Sequence, residues 1–174
     1  MKTIRKTKTK PKLIAISGTP AVGKTTLAKL LVKQLNFQRL DLHQYYKQIS
    51  TKYNHKKQCY DIDLKKFEQL VKEKIKETEQ KEKKGLIVDT HIAHLLPKQM
   101  VDLCIILTCS DLKKLKQRLT KRKYNKKKVA ENLEAEIFQV CLEEARQKKH
   151  NLLVFDNQKK INFKNLINKV KKNL

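Results

Sequence analysis

The chain has 174 residues, with 42 lysines and arginines against 17 acidic residues, for a formal net charge of +25. That length suits one folding unit with its own core rather than two, and the charge directs the surface toward polyanions such as nucleotide phosphates, RNA or an anionic membrane. Four cysteines without CxxC or metal-type spacing, no signal-peptide pattern, and apolar runs of only five to seven residues argue against a disulfide scaffold, a zinc module and a membrane protein; they point to a soluble cytoplasmic protein, or a nuclear one in a eukaryote.

Residues 1–12, MKTIRKTKTKPK, hold six positive charges and no acid, so residues 1–11 read as a disordered basic arm, while the chain beyond residue 12 still carries +19. From there short apolar runs alternate with segments of helical period. LIAIS at 13–17, GLIVD at 85–89, DLCIILT at 102–108 and LLVFD at 152–156 are nearly all apolar, as strands buried on both faces of a parallel sheet are, and FQRL at 37–40 is a weaker candidate. Between them, Leu27, Leu30, Leu31 and Leu35 mark one helix, and Leu64, Phe67, Val71 and Ile75 another that Gly85 is expected to stop. Leu112, Leu115 and Leu119 mark a third helix, the run from Val129 to Ala145 a long fourth, and Phe163 to Lys172 a basic last one. Strand and helix in alternation predict a three-layer α/β/α domain over residues 12–174.

The stretch after the first strand reads GTPAVGKT, Gly18 to Thr25, and matches G-x-x-x-x-G-K-[ST] in a chain with only three glycines. It follows a buried strand and opens an amphipathic helix, which is the context a phosphate-binding loop requires. Such a loop turns its backbone N–H groups toward a β-phosphate, with the helix N-terminus adding its unpaired donors. Gly18, Ala21 and Gly23 would shape the loop, Lys24 would reach the β- and γ-phosphates, Thr25 would ligate Mg²⁺, and Thr26 would reach the α-phosphate. The expected ligand is ATP.

Asp89 ends the run LIVD, where such proteins place the acid that holds a Mg²⁺-bound water. His91, two residues on, is placed to orient a water or accept a proton near the γ-phosphate, whereas His94 reads as a packing or solvent-facing residue. From Leu112 to Lys128 there are ten lysines and arginines and no acid, and two of the chain's five arginines, Arg118 and Arg122, stand four apart on one helix face. Compositional bias toward lysine would have removed them, and an arginine fork suits phosphate, so both are expected phosphate contacts. Tyr124 would cover an adenine or brace the loop.

GTPAVGKTTLAKLL, DTHIAHLLP and QRLTKRKYNKKKVAENLEAEIFQVCLEEA together resemble the adenylate kinase isoenzyme 6 family, in its archaeal type, over nearly all of the chain after residue 12. The resemblance implies a P-loop domain of nucleoside monophosphate kinase type, with about five parallel strands in the order 2-3-1-4-5. It further implies a monphosphate-binding insertion at about 41–63, a short lid at about 121–131, and a monomer that converts ATP and AMP to two ADP and also hydrolyses ATP. A small-subunit ribosomal protein and an rRNA precursor are the implied partners. Two positions depart from the family, which often has glycine where Ala21 and Lys123 stand; alanine is expected to be tolerated at 21 if its backbone angles are ordinary, and Lys123 to stiffen the lid. The basic 41–63 segment shows few recognisable acceptor-binding residues, so a ribosome-assembly ATPase with little or no AMP kinase activity stands beside the kinase reading. A shikimate- or polynucleotide-type kinase on the same scaffold is a more distant third.

Overall fold

The computed structural model describes residues 10–55, 58–158 and 163–174, so nearly all of the basic arm expected at 1–11 lies outside the described residues. Strand β1 (Lys12–Ser17) leads into helix α1 (Lys24–Leu35) and strand β2 (Phe37–Leu40). A 3-10 turn at Leu42–Tyr45, the one-turn helix α2 (Tyr46–Ile49) and the antiparallel strands β3 (Ser50–Asn54) and β4 (Cys59–Ile62) follow. Helix α3 (Leu64–Gln80) returns the chain to strand β5 (Gly85–Asp89), and strand β6 (Leu103–Thr108) comes next. Helices α4 (Leu112–Lys121), α5 (Lys126–Ile137) and α6 (Val140–Gln147), strand β7 (Leu152–Asp156) and helix α7 (Phe163–Lys172) complete it.

The main sheet has five strands, all paired parallel, in the order β2-β5-β1-β6-β7. This is the order the resemblance implies, counted over the five apolar runs. The central strands are apolar at nearly every position because both faces are covered. Ile14 and Ile16 of β1 face a core with Leu31, Leu115 and Leu166, while Leu13 and Ala15 face a second core with Phe67, Val71 and Leu142. The alternation along β1 thus feeds two helical layers, one on each side. The edge strand β7 is only half-buried, with Val154 46% exposed, which fits its place at the sheet margin.

Because β1 has β5 on one side and β6 on the other, chain connections leave it in opposite directions and a crevice opens at its C-terminal end. Ile16 is in register with Asp89, so the loop after β1 and the carboxylate ending β5 emerge side by side.

Two expectations from the sequence need correction. Gly85 does not stop α3; it is the first residue of β5, and a Cβ there would meet the Lys12 carbonyl oxygen at 2.3 Å and Phe37 Cε2 at 2.4 Å. The helix ends at Gln80, and Glu82 takes the left-handed conformation (φ 53) that glycine often supplies at such an end. The single helix expected from Val129 to Ala145 is broken: α5 ends at Ile137, and Gln139 (φ 49) redirects the chain into α6. Asn36, Lys123 and Lys149 are also left-handed, so a glycine-poor chain has placed other residues at its helix ends.

Candidate active site

Gly18 and Gly23 have φ of 135 and 105, and a Cβ on Gly18 would meet the Leu107 carbonyl oxygen at 2.1 Å, so the loop between β1 and α1 passes directly over the end of β6. Ala21 is left-handed as well (φ 71), so the condition under which alanine is harmless at this position is not met. Lys24 Nζ donates to the Gly18 and Thr19 carbonyl oxygens at 2.8 and 2.9 Å, which folds its side chain back across the loop. Burial pushes the Lys24 ammonium down to about 8, with Arg122 adding repulsion and Cys141, Asp89 and Glu136 opposing. No side chain caps the N-terminus of α1, whose cap residue is Gly23, and amides at such an end suit an anion.

A cleft of about 750 Å³ opens over this loop. Of the residues expected at the site, Ala21, Gly23, Lys24, Thr25 and Thr26 line it from the loop side, Asp89 and His91 from the end of β5, and Arg118 and Arg122 from the end of α4. Gly18 does not line it; it lies beneath and contributes its carbonyl to Lys24. Sequence positions more than a hundred residues apart therefore face one space.

Thr25 Oγ1 donates to Asp89 Oδ2 at 2.8 Å. The side chain of Asp89 is 1% exposed and is held from behind by Arg39, whose Nε donates to Oδ1 at 2.6 Å and whose Nη2 donates to Oδ2 at 3.2 Å. No motif spacing marks Arg39, although it too is an arginine surviving in a lysine-rich chain, as Arg118 and Arg122 are. With the threonine hydrogen committed to Asp89, the lone pairs of Oγ1 are available to a hard cation, and one or two protein oxygens completed by phosphates and water are the donor set magnesium prefers.

His91 opens on the cleft, yet the protein around it and then Lys24 push its imidazole down to about 4. At neutral pH it is an uncharged hydrogen-bonding group and a weak base. His94 is buried: its Nδ1 is 2.6 Å from Ser17 Oγ and its Nε2 is 2.7 Å from Glu144 Oε2, so it ties the last residue of β1 to α6. It packs, as one of the two readings from the sequence had it.

The remaining walls come from the segment after β2 and from the turn between α4 and α5 with the start of α5. His43, Tyr46 and Tyr60 line the wall that follows β2, where the rings of Tyr46 and Tyr60 lie 5.3 Å apart and Tyr53 packs against Tyr60, its cross-strand partner, at 4.9 Å. These rings give a two-stranded hairpin a small core of its own. Opposite, Lys128 Nζ sits 4.5 Å from the ring centre of Tyr124, and both residues line the cleft. The two walls touch: the Asn125 amide donates to Gln58 Oε1 at 3.1 Å, and Lys128 Nζ donates to the Gln58 carbonyl oxygen.

The model of the AAA domain family matches residues 14–139. The "Putative adenylate kinase" of Methanocaldococcus jannaschii is 40% identical over 141 residues, covering 80% of this chain and 75% of that protein. The adenylate kinase isoenzyme 6 homolog of Schizosaccharomyces pombe is 35% identical over 136 residues, covering 77% and 74%. The chain belongs to the adenylate kinase isoenzyme 6 family. Among solved structures, a "putative kinase" from Chloroflexus aurantiacus superposes with a TM-score of 0.59 over 95% of this chain and all of that one; at 15% identity this likeness shows the fold alone. Among the described residues, no helix is long and apolar enough to cross a membrane.

Proposed function

We propose that the protein is an ATP-dependent nucleoside monophosphate kinase that converts ATP and AMP to two ADP. The observation that carries this reading is the convergence of Lys24, Arg118 and Arg122 on one cleft whose far wall is the aromatic segment after β2. A hydrolase needs only a water opposite the γ-phosphate, and the second wall across this cleft supports a site for an acceptor.

In this reading ATP lies with its phosphates over the P-loop. Lys24 turns from the Gly18 and Thr19 carbonyls to the β- and γ-phosphates, and Arg118 and Arg122 offset charge that spreads over the transferring group. Thr25 and Asp89 are the residues that would hold Mg²⁺, the threonine directly and the carboxylate through water. When bound, the cation would supply charge neutralisation at the phosphates. The acceptor phosphate oxygen forms the new P–O bond while the bond from the γ-phosphorus to the β–γ bridging oxygen breaks, leaving ADP on both sides. His91, uncharged at neutral pH, orients the attacking group or a water by hydrogen bonding. Closure of the 121–131 lid on the 41–63 insertion through Gln58 excludes water and favours transfer over hydrolysis.

One observation favours a second role. A net charge of +25 far exceeds what a nucleotide requires, and supports an ATPase cycle on a small-subunit ribosomal protein and rRNA precursor, with polyanion affinity that falls steeply with salt. ADP production measured with ATP alone and with ATP plus AMP tests the kinase reading. AMP-dependent ADP formation supports it, and ATP hydrolysis that ignores AMP removes it in favour of the assembly ATPase.

A further inference from the structure

Asp89 works in this scheme only if its carboxylate is held still, and the residue that holds it is Arg39. Arg39 is in register with Ile87, and Asp89 lies two residues further along β5, on the same face of the sheet. From there the guanidinium spans two carboxylates: Nε and Nη2 take both oxygens of Asp89, at 2.6 and 3.2 Å, and Nη1 donates to Asp41 Oδ2 at 3.3 Å. Asp41 in turn accepts the His43 amide at 3.2 Å, capping the turn that begins the acceptor-side insertion.

We propose that Arg39 is a positioning residue for metal-bound nucleotide. It fixes the Asp89 carboxylate in the orientation that takes the Thr25 hydroxyl hydrogen, so that the lone pairs of Thr25 Oγ1 face the cation carried by the phosphates. Through Asp41 it also ties this carboxylate to the first residue of the insertion. The inference rests on the reading of Thr25 and Asp89 as the metal-side pair.

The chemistry explains why an arginine stands here among so many lysines. A carboxylate with a side chain 1% exposed must have its charge compensated and its oxygens satisfied. A lysine ammonium would neutralise the charge, but it is a compact point donor on a flexible stem. The planar fork of arginine fixes two oxygens at once and leaves a third N–H for Asp41. Arg39 does not line the cleft, so it acts through Asp89 and not on the nucleotide.

The test compares ADP affinity, by titration calorimetry, in EDTA and in excess Mg²⁺ for the wild-type protein, Arg39→Lys and Asp41→Asn. Arg39→Lys keeps the charge and loses the fork. It is expected to weaken Mg²⁺-dependent ADP binding by about tenfold, the low end of what loss of an outer-shell partner costs, while changing binding in EDTA by less than about twofold. Asp41→Asn, which leaves the Arg39–Asp89 fork in place, should act in the same direction by a smaller factor and gives a second variant if Arg39→Lys folds poorly. Equal losses with and without Mg²⁺, or no loss in either, would mean that Arg39 only supports the fold, and would overturn the proposal. If the wild-type protein itself bound ADP equally in EDTA and Mg²⁺, the metal-side reading of Thr25 and Asp89 would fall first, and this inference with it.

Discussion

Thr25 Oγ1 and Asp89 Oδ2 are 2.8 Å apart, which joins the first turn of α1 to the end of β5 across 64 positions of sequence. The hydroxyl is the donor, so only a side chain that keeps it can satisfy Asp89 and offer an oxygen to a cation. Thr25→Ser should therefore retain most of the activity, whereas Thr25→Val should lower phosphoryl transfer by roughly 100-fold or more, the scale of losing one positioned electrostatic contact. Steady-state rates at several Mg²⁺ concentrations check this, and a Thr25→Val enzyme with unchanged rates would refute the assignment.

Lys24 should make nucleotide binding pH-dependent. Its ammonium is held down to about 8 by burial, and a phosphate beside it would raise that value, because an opposite charge favours the protonated form. Below pH 8 the free protein already carries the proton and affinity is flat. Above it, binding must take up a proton, so affinity falls as pH rises, by at most tenfold per pH unit. Calorimetry at pH 9 in buffers of different ionisation enthalpy should show proton uptake that Lys24→Met abolishes.

Ala21 and Lys123 sit at φ 71 and 58, the left-handed region that costs an L side chain roughly 1–2 kcal/mol. Glycine avoids that strain but loses about 0.5–1 kcal/mol of chain entropy on folding. Ala21→Gly and Lys123→Gly are each expected to stabilise the protein by about 0.5–1 kcal/mol, read from urea midpoints. Gly85→Ala should do the opposite, since its Cβ would meet backbone and the Phe37 ring.

Gln58 holds the lid to the hairpin through its side-chain and backbone oxygens. Gln58→Ala removes the partner of the Asn125 amide and leaves the carbonyl contact to Lys128. Hydrogen exchange at the Asn125 amide should speed up, with little change in the central strands β1 and β6. The ratio of AMP-dependent transfer to bare ATP hydrolysis should drop. Unaltered exchange at Asn125 would show that this contact does not hold the lid.

Much of the fold was legible because the central strands β1, β5 and β6 are buried on both faces and so appear as apolar runs, while the edge strands β2 and β7 are only partly buried and FQRL is correspondingly a weaker signal. The hairpin was not: β3 reads STKYN, mostly exposed and without an apolar alternation, and its pairing depends on Tyr53 meeting Tyr60. The break at Gln139 was hidden for a similar reason. Helical period continues through Val129, Leu133, Ile137 and Val140, while Phe138 beside the break is 71% exposed, so the register of apolar residues gave no sign that the direction changes.

The sequence by itself determined the glycine-rich loop between β1 and α1, the presence of Asp89 and His91 after an apolar strand, the two arginines four apart at the end of α4, and the parallel α/β class, because each depends on residue types at fixed short spacing or on burial that imposes a pattern. Only the tertiary structure decided what holds Asp89, which residues join the lid to the hairpin, and that Gly85 is needed for close approach and not for a helix end. Those are contacts between strands or walls far apart in the chain, such as Arg39 with Asp89 and Gln58 with Asn125. No local spacing encodes them; they exist once β2 and β5 are neighbours and the cleft has two sides.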